Sequence, residues 1–375
     1  MKKIKLRSKE WFDNPKDPGL TAIYLERYLN YGLKRKDLQS GKPIIGIAQS
    51  GSDLSPCNRH ILDLSKNIKK GIVNAGGVPM EFPTHPIQET GKRPTAALDR
   101  NLSYLSLVEV LYGYPLDGVV LTTGCDKTTP AALMAAATVN IPSIILSGGP
   151  MLDGHYKGQK AGSGTIIWEA RKLYSKGEID YDQFMDMATA SSPSVGHCNT
   201  MGTASTMNSI AEALGMSLPG CAIIPAPYPE RKKISYKTGQ RIVNMVRENL
   251  TPSKIMTKKA FENAVVVASA IGGSSNATTH LLAIAKHMGI KFDLSNWQKL
   301  GHKIPLLVDC QPAGKYLMEG FYKAGGIPAV MKELIKNKKL NTKVKTVTGK
   351  NLGQNLKKKI KVNSKVIKTF KKNLS

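Results

Sequence analysis

Short apolar runs rich in Ile, Val and Leu alternate with longer stretches of helical periodicity from about Lys42 onward. Such runs predict buried strands, and the stretches between them predict helices. The predicted strands are 43–48, 78–82, 117–121 and 141–146, and the helices that alternate with them are 61–75, 96–112 and 130–138. This alternation predicts parallel sheets flanked by helices on both faces, which is an α/β fold.

A second stretch of mixed pattern follows. Residues 162–190 are polar and largely helical in pattern. Beyond them we predict helices at 201–214, 237–249, 277–288 and 328–336, and strands at 222–224, 264–270 and 305–308. The last 35 or so residues are low in complexity, with Lys, Asn and Thr dominating. We divide the chain into an N-terminal arm at 1–40, an α/β domain at 41–338 and a Lys-rich linker or tail at 339–375.

The net charge of +27 at first suggests a nucleic-acid partner, but its distribution along the chain weakens that interpretation. Residues 336–375 hold 14 lysines and no Asp or Glu. They include a single aromatic residue, Phe370, and no nucleic-acid recognition motif. A solvated lysine-rich surface is therefore favoured over nucleic-acid binding.

Targeting and redox features favour a cytoplasmic protein. The basic N-terminus lacks the apolar segment of a signal peptide. The sequence also lacks a run of about 18 apolar residues, so we do not predict a membrane span. The five cysteines are odd in number and form no CxxC pair, which favours a reducing compartment over a disulfide framework.

Three cysteines lie in polar loops that follow predicted strands or precede a helix. They are Cys57, Cys125 and Cys198. A single cysteine is more often a small buried hydrophobe, but three in matching loops favour a metal, either an iron–sulfur cluster or zinc. Three protein ligands also leave one coordination position open for Lewis-acid chemistry. By contrast, Cys221 and Cys310 adjoin apolar strands and are interpreted as structural.

The residues after Cys125 combine a carboxylate with a helix start. Thr128, Thr129 and Pro130 predict a helix N-terminus with Thr as N-cap. Asp126 could hold Mg²⁺ through oxygen, or simply cap the helix. Glu89, in a loop after the second strand, could supply a second oxygen ligand or be an ordinary surface acid.

Four strings resemble the dihydroxy-acid/phosphogluconate dehydratase family from about residue 40 to the C-terminus. They are PCNRH, TTGCDKTTPA, GHCNTMGTASTMNSIAEALGMSLPG and AIGGSSNA. Residues 85–124 resemble the sugar-acid branch, the arabinonate and xylonate dehydratases. The branched-chain dihydroxy-acid dehydratases, which remain the alternative, usually have an Asp-Gly motif where this chain has Gln88-Glu89-Thr90.

The resemblance implies two inorganic cofactors. Cys57, Cys125 and Cys198 would be the ligands of a [2Fe–2S] cluster. A neighbouring Mg²⁺ would be held by Glu89, by Asp126 and by Lys127, which the family carbamylates; otherwise Lys127 would neutralise Asp126. The loop 272–276 matches one near the substrate.

The implied reaction removes water from a sugar acid and yields a 2-keto-3-deoxy acid. The family's general base, a serine, belongs to a C-terminal β-barrel-like domain, which we expect to be absent here. We therefore expect the chain to be weakly active or inactive alone, or to be completed by a separately encoded domain. We also expect a homo-oligomer, either a dimer or a tetramer. A non-catalytic cluster-binding remnant is a further alternative.

Overall fold

The predicted strands in the first part of the chain pair as one parallel sheet. This computed structural model describes residues 5–30, 32–87 and 97–374. The strands are β1 (Ile44–Gln49), β2 (Val78–Pro83), β3 (Gly118–Thr123) and β4 (Ser143–Ser147), followed by a small antiparallel pair, β5 (Gly154–Tyr156) and β6 (Gln159–Ala161). The large sheet has the order β2–β1–β3–β4, and every residue of β1, β3 and β4 is buried. Runs that are apolar throughout are typical of parallel strands covered on both faces.

Helices account for most of the remaining chain. They are α1 (Lys9–Phe12), α2 (Pro18–Leu29), α3 (Arg35–Gln39), α4 (Ile61–Asn74), α5 (Ala97–Gly113), α6 (Thr128–Val139), α7 (Thr165–Ser175), α8 (Tyr181–Thr189), α9 (Thr203–Ala213), α10 (Pro229–Arg247), α11 (Pro252–Ile255), α12 (Lys258–Ala270), α13 (Asn276–His287), α14 (Leu294–Gly301), α15 (Met318–Lys323), α16 (Gly326–Lys336) and α17 (Leu352–Asn355).

Two groups of helices cover the sheet. Helices α4 and α10 contact each other and the strands, while α6 contacts β3, β4 and the helices α5, α9 and α13. The connections β1–α4–β2 and β3–α6–β4 run in opposite directions across the sheet. Right-handed crossovers therefore place α4 and α6 on opposite faces. The predicted α/β fold is confirmed.

The crossing of α4 and α10 depends on two glycines. A Cβ at Gly71 would collide with the carbonyl oxygen of Tyr236, and one at Gly239 would collide with that of Ile68. The helices thus approach backbone to backbone, which only glycine permits.

Three predicted strands of the second stretch are wrong. Residues 264–270 belong to α12, whose apolar positions are buried nearly all round, so the segment shows no helical period. Residues 305–308 form only an isolated bridge, between Val308 and Ile367. Residues 222–224 lie in a turn, where the buried guanidinium of Arg231 donates to the carbonyl oxygens of Cys221, at 2.8 Å, and Ile224. The Arg231 side chain thus bonds carbonyl groups that, in a strand, would bond to a neighbouring strand.

Both ends of the described chain pack onto this body. In the arm, Ser8 Oγ donates to Asp117 Oδ2 at 2.7 Å, beside the start of β1. In the tail, the N–H of Asp309 donates to the carbonyl of Val366 at 2.9 Å, and the N–H of Lys368 donates to that of Leu307 at 2.7 Å. The boundaries at 40 and 338 stay predictions. Within the described ranges, none of the helices combines the length and apolarity needed to cross a membrane.

Candidate metal centre

The three loops that carry the predicted cysteine ligands meet at the carboxyl edge of the parallel sheet. Cys57 lies in a 3-10 turn, Pro56–Asn58, after β1, and Cys125 follows β3 directly. His197, which precedes Cys198, pairs with the segment that follows β4. Its N–H donates to the carbonyl of Gly149 at 3.0 Å, and its carbonyl accepts from the N–H of Met151 at 2.9 Å. Strands β1, β3 and β4 are neighbours in the sheet, so the loops are neighbours as well.

Asn58 ties the Cys57 turn to the Cys125 loop. Its Oδ1 accepts a hydrogen bond from the N–H of Cys125 at 3.1 Å. A Cβ at Gly124 would collide with this amide, so the glycine is needed for the two loops to approach. The side chain of Asn58 is fully buried, and its Nδ2 has no partner among the described residues.

Asn208, on α9, ties the Cys125 loop to the Cys198 loop. Its Nδ2 donates to the carbonyl of Gly124 at 3.1 Å and lies 3.3 Å from Nε2 of His197. Nδ1 of that imidazole lies 3.0 Å from the carbonyl oxygen of Cys198, so Nδ1 carries the proton and Nε2 accepts from Asn208. Burial lowers the pKa of His197 to about 3, which keeps the ring neutral.

The cysteine surroundings favour a cationic partner. Cys125 is buried, and Cys57 and Cys198 are half-buried. Burial, with smaller contributions from Asp126 and Cys125, raises the pKa of Cys198 to about 11. This thiol stays protonated at neutral pH unless a metal displaces the proton, because a thiolate is the form that binds metal.

The donor types fit an iron–sulfur cluster, which thiolates hold. In the part of the chain that the structure describes, no group of three or more His, Cys, Asp or Glu side chains is arranged to hold a metal ion. A cluster spreads its ligands over several irons, and its sulfides accept hydrogen bonds. The orphan amide of Asn58, next in sequence to Cys57, supplies a buried donor of that kind.

Asp126 and Lys127 lie between Cys125 and the start of α6. The predicted Thr cap is wrong: the helix begins at Thr128, with a buried Lys127 as its N-cap. The Thr128 hydroxyl bonds backward, donating to the Cys125 carbonyl at 2.9 Å and accepting from Gly124 N at 3.1 Å. It closes the cysteine turn and leaves the helix uncapped by a side chain. Glu89 lies in 88–96, outside the described residues.

A buried Arg–His pair lies near the entrance of α6. Arg100 Nη1 is 3.1 Å from Nδ1 of His280 on α13. Burial lowers the pKa of His280 to about 3, with smaller contributions from the charges of Arg100 and Lys127. Sequence reasoning missed this pair, as it missed Asn58, His197 and Asn208.

The loop 272–276 contacts the N-terminus of α9. Ser274 Oγ is 2.9 Å from Thr203 Oγ1, to which Asn276 Nδ2 donates at 3.0 Å. The loop thus lies beside the segment that follows Cys198. Cys221 and Cys310 belong to the buried apolar core, where Cys221 Sγ also lies 3.7 Å from Arg231 Nη1, and burial raises the pKa of each thiol.

Comparison with known proteins identifies one family. The model of the dihydroxy-acid/6-phosphogluconate dehydratase N-terminal region matches residues 42–355. The D-xylonate dehydratase of Caulobacter vibrioides is 59% identical over 94% of this chain and 59% of its own length. The L-arabinonate dehydratase of Rhizobium leguminosarum bv. trifolii is 45% identical over 99% of this chain and 64% of its own. The dihydroxy-acid dehydratase of Halothermothrix orenii is 38% identical over 90% and 62%. The chain therefore spans about three fifths of the length of these relatives.

Proposed function

Because the chain belongs to the dihydroxy-acid/6-phosphogluconate dehydratase family, we propose that it carries the cluster- and metal-binding side of a sugar-acid dehydratase. The reaction would remove water from an aldonate and yield a 2-keto-3-deoxy acid. The observation that carries the proposal is the joining of the three cysteine loops by the buried amides of Asn58 and Asn208.

The proposal assigns ligands as follows. Cys57, Cys125 and Cys198 would hold a [2Fe–2S] cluster, and Glu89, Asp126 and a carbamylated Lys127 would hold Mg²⁺. When bound, these groups would supply Lewis acidity, which assists departure of a hydroxyl and makes a proton next to a carboxylate more acidic.

The chain's own residues would orient and shield that chemistry. Asn58 and Asn208 fix the backbone of the Cys125 turn from both sides. Burial of Cys125 and Lys127 keeps bulk water from that wall of the site, and electrostatic interactions strengthen where water is excluded.

The relatives' names support an aldonate as the substrate class. Identity is 59% to the xylonate dehydratase and 45% to the arabinonate dehydratase, against 38% to the dihydroxy-acid dehydratase. Relatives that act on sugar acids are thus the more similar ones, although specificity can rest on a few pocket residues.

The test compares substrates on the iron-loaded chain. The protein is reconstituted without oxygen, supplied with Mg²⁺ and titrated with xylonate, arabinonate and 2,3-dihydroxyisovalerate. Binding is followed by the visible spectrum of the cluster, because binding depends on the residues proposed here, and 2-keto acid is assayed alongside. We expect the sugar acids to perturb the spectrum at lower concentration. A preference for 2,3-dihydroxyisovalerate would overturn the substrate class, and no response to any acid would overturn the function.

A further inference from the structure

Helices α6 and α13 lie side by side with their C-terminal ends together. The two helices contact each other, and at those ends Thr138 Oγ1 and His287 Nδ1 are 3.0 Å apart. His280 precedes His287 by two turns, or about 10.5 Å at 1.5 Å per residue. The same distance back along α6 from Thr138 leads to its first turn, which follows Lys127. This spacing points His280 toward the entrance of α6, in agreement with the contribution of the Lys127 charge to the lowered pKa of His280.

Arg100 determines which nitrogen of His280 carries a proton. A guanidinium can only donate, so Nδ1, at 3.1 Å from Arg100 Nη1, accepts. The ring proton is then on Nε2. This nitrogen is buried, and no acceptor for it lies among the described residues. A buried donor without an acceptor is costly, so its presence indicates a group that arrives later.

We propose that His280 is a positioning residue that donates a hydrogen bond from Nε2 to a carbamate on Lys127. The proposal rests on the proposed function, in which Lys127 is carbamylated. In that step the unprotonated Nζ attacks the carbon of CO₂ and an N–C bond forms. One C=O electron pair moves onto oxygen, and a proton leaves Nζ for water.

The donors available here favour an anion at Lys127. Lys127, Arg100 and His280 are 7%, 6% and 3% exposed. A carbamate on Lys127 would be an anion. A guanidinium and an imidazole N–H beside the anion both stabilise it, since charge-assisted hydrogen bonds are stronger than neutral ones.

The experiment measures carbamate directly in the full 375-residue chain. The protein is equilibrated with carbon-13 bicarbonate, and the carbamate carbon is quantified by NMR; its absence in Lys127→Arg assigns it. His280→Gln keeps a donor near the position of Nε2, whereas the shorter His280→Asn leaves that position empty. His287→Asn is the matched control on the same helix. We expect His280→Asn to lower carbamate occupancy at fixed bicarbonate at least about tenfold, the effect of losing a hydrogen bond to a charged group. His280→Gln and His287→Asn should stay within about threefold of wild type.

The outcomes distinguish failure of the role of His280 from failure of the carbamylation of Lys127, on which that role rests. Without a carbamate signal in wild type, the modification of Lys127 itself is wrong. With a wild-type signal that His280→Asn leaves unchanged, only the role of His280 is wrong. Equal loss in the Gln and Asn variants would replace the hydrogen bond by a packing role and overturn the proposal too.

Discussion

Asn208 is the residue that joins what the sequence presents as separate strings. Its amide contacts the Cys125 loop and His197, which precedes Cys198, while its Oδ1 accepts from Thr123 and Thr129 at 3.1 and 3.0 Å. The cysteines could be singled out from sequence because thiols in polar loops have few other uses. Asn58, Asn208 and His280 could not, because amides and imidazoles occur everywhere and their partners here are remote in sequence.

Replacing single cysteines should distinguish the thiols that bind iron from those that are only structural. We expect Cys125→Ser to lose most of the iron that wild type takes up, about two per chain for a [2Fe–2S] cluster. The reason is that a serine hydroxyl is a poor substitute for the thiolate that iron prefers. Iron content per folded chain after anaerobic reconstitution is the measurement.

The control is Cys310→Ser, which changes a thiol buried among apolar side chains. This variant should keep its iron. Equal iron in both variants would show that Cys125 is not a ligand.

At the scale of elements, the predictions are accurate for the strands of the large sheet, whose pattern is simple. β1 to β4 are apolar runs bounded by turn residues, and each was located to within about two residues. α12 was misread because burial on every side erases the period that distinguishes a helix. The turn at 222–224 was misread because its backbone partner, Arg231, is a side chain that no strand pattern reveals.

The crossing of α4 and α10 predicts a strong dependence on glycine. Gly71→Ala and Gly239→Ala should each lower the free energy of unfolding by about 1–3 kcal/mol, because the added methyl group forces the helices apart. Urea unfolding followed by circular dichroism measures the change.

Gly113, in the last turn of α5, serves as the control. A Cβ there meets no atom within 4 Å, so Gly113→Ala should be neutral or stabilising by up to about 1 kcal/mol. Comparable stability in all three variants would mean that the helices do not approach as closely as described.

At the scale of the whole molecule, the arm, the sheet and the tail form one packed body. Val347, Leu352, Val366 and Ile367 of the predicted linker are buried in it. The low complexity of the tail concealed this, because its apolar residues are sparse among lysines and only their partners elsewhere in the chain make them core.

The stability of this body should depend on pH through Glu212. Its buried carboxylate accepts from Gly220 N at 2.7 Å and Ala222 N at 2.9 Å. Burial raises the pKa of Glu212 to about 7, although the two N–H groups and Arg231 oppose the shift. The native state then holds a proton that the unfolded state releases above about pH 4.5, so the stability contributed is present at low pH and lost as pH rises to about 7.

Comparison with Glu212→Gln isolates this group from the buried histidines, which titrate in the opposite sense. The stability of wild type relative to the variant should fall by up to about 1.4 kcal/mol per pH unit between about pH 5 and 7. Urea unfolding across that range measures it. Parallel curves for the two proteins would show that Glu212 is ionised in the native state.

The backbone pairing of 307–309 with 366–368 also has a consequence for synthesis. The ribosome makes the chain from its N-terminus, so 307–309 emerge well before their partners exist. Until residue 368 has cleared the exit tunnel, the N–H of Asp309 and the carbonyl of Leu307 are left to bond to water. Its burial beneath the tail is therefore a late event in vectorial folding, and a nascent chain arrested before that point should be cleaved by proteases around Leu307.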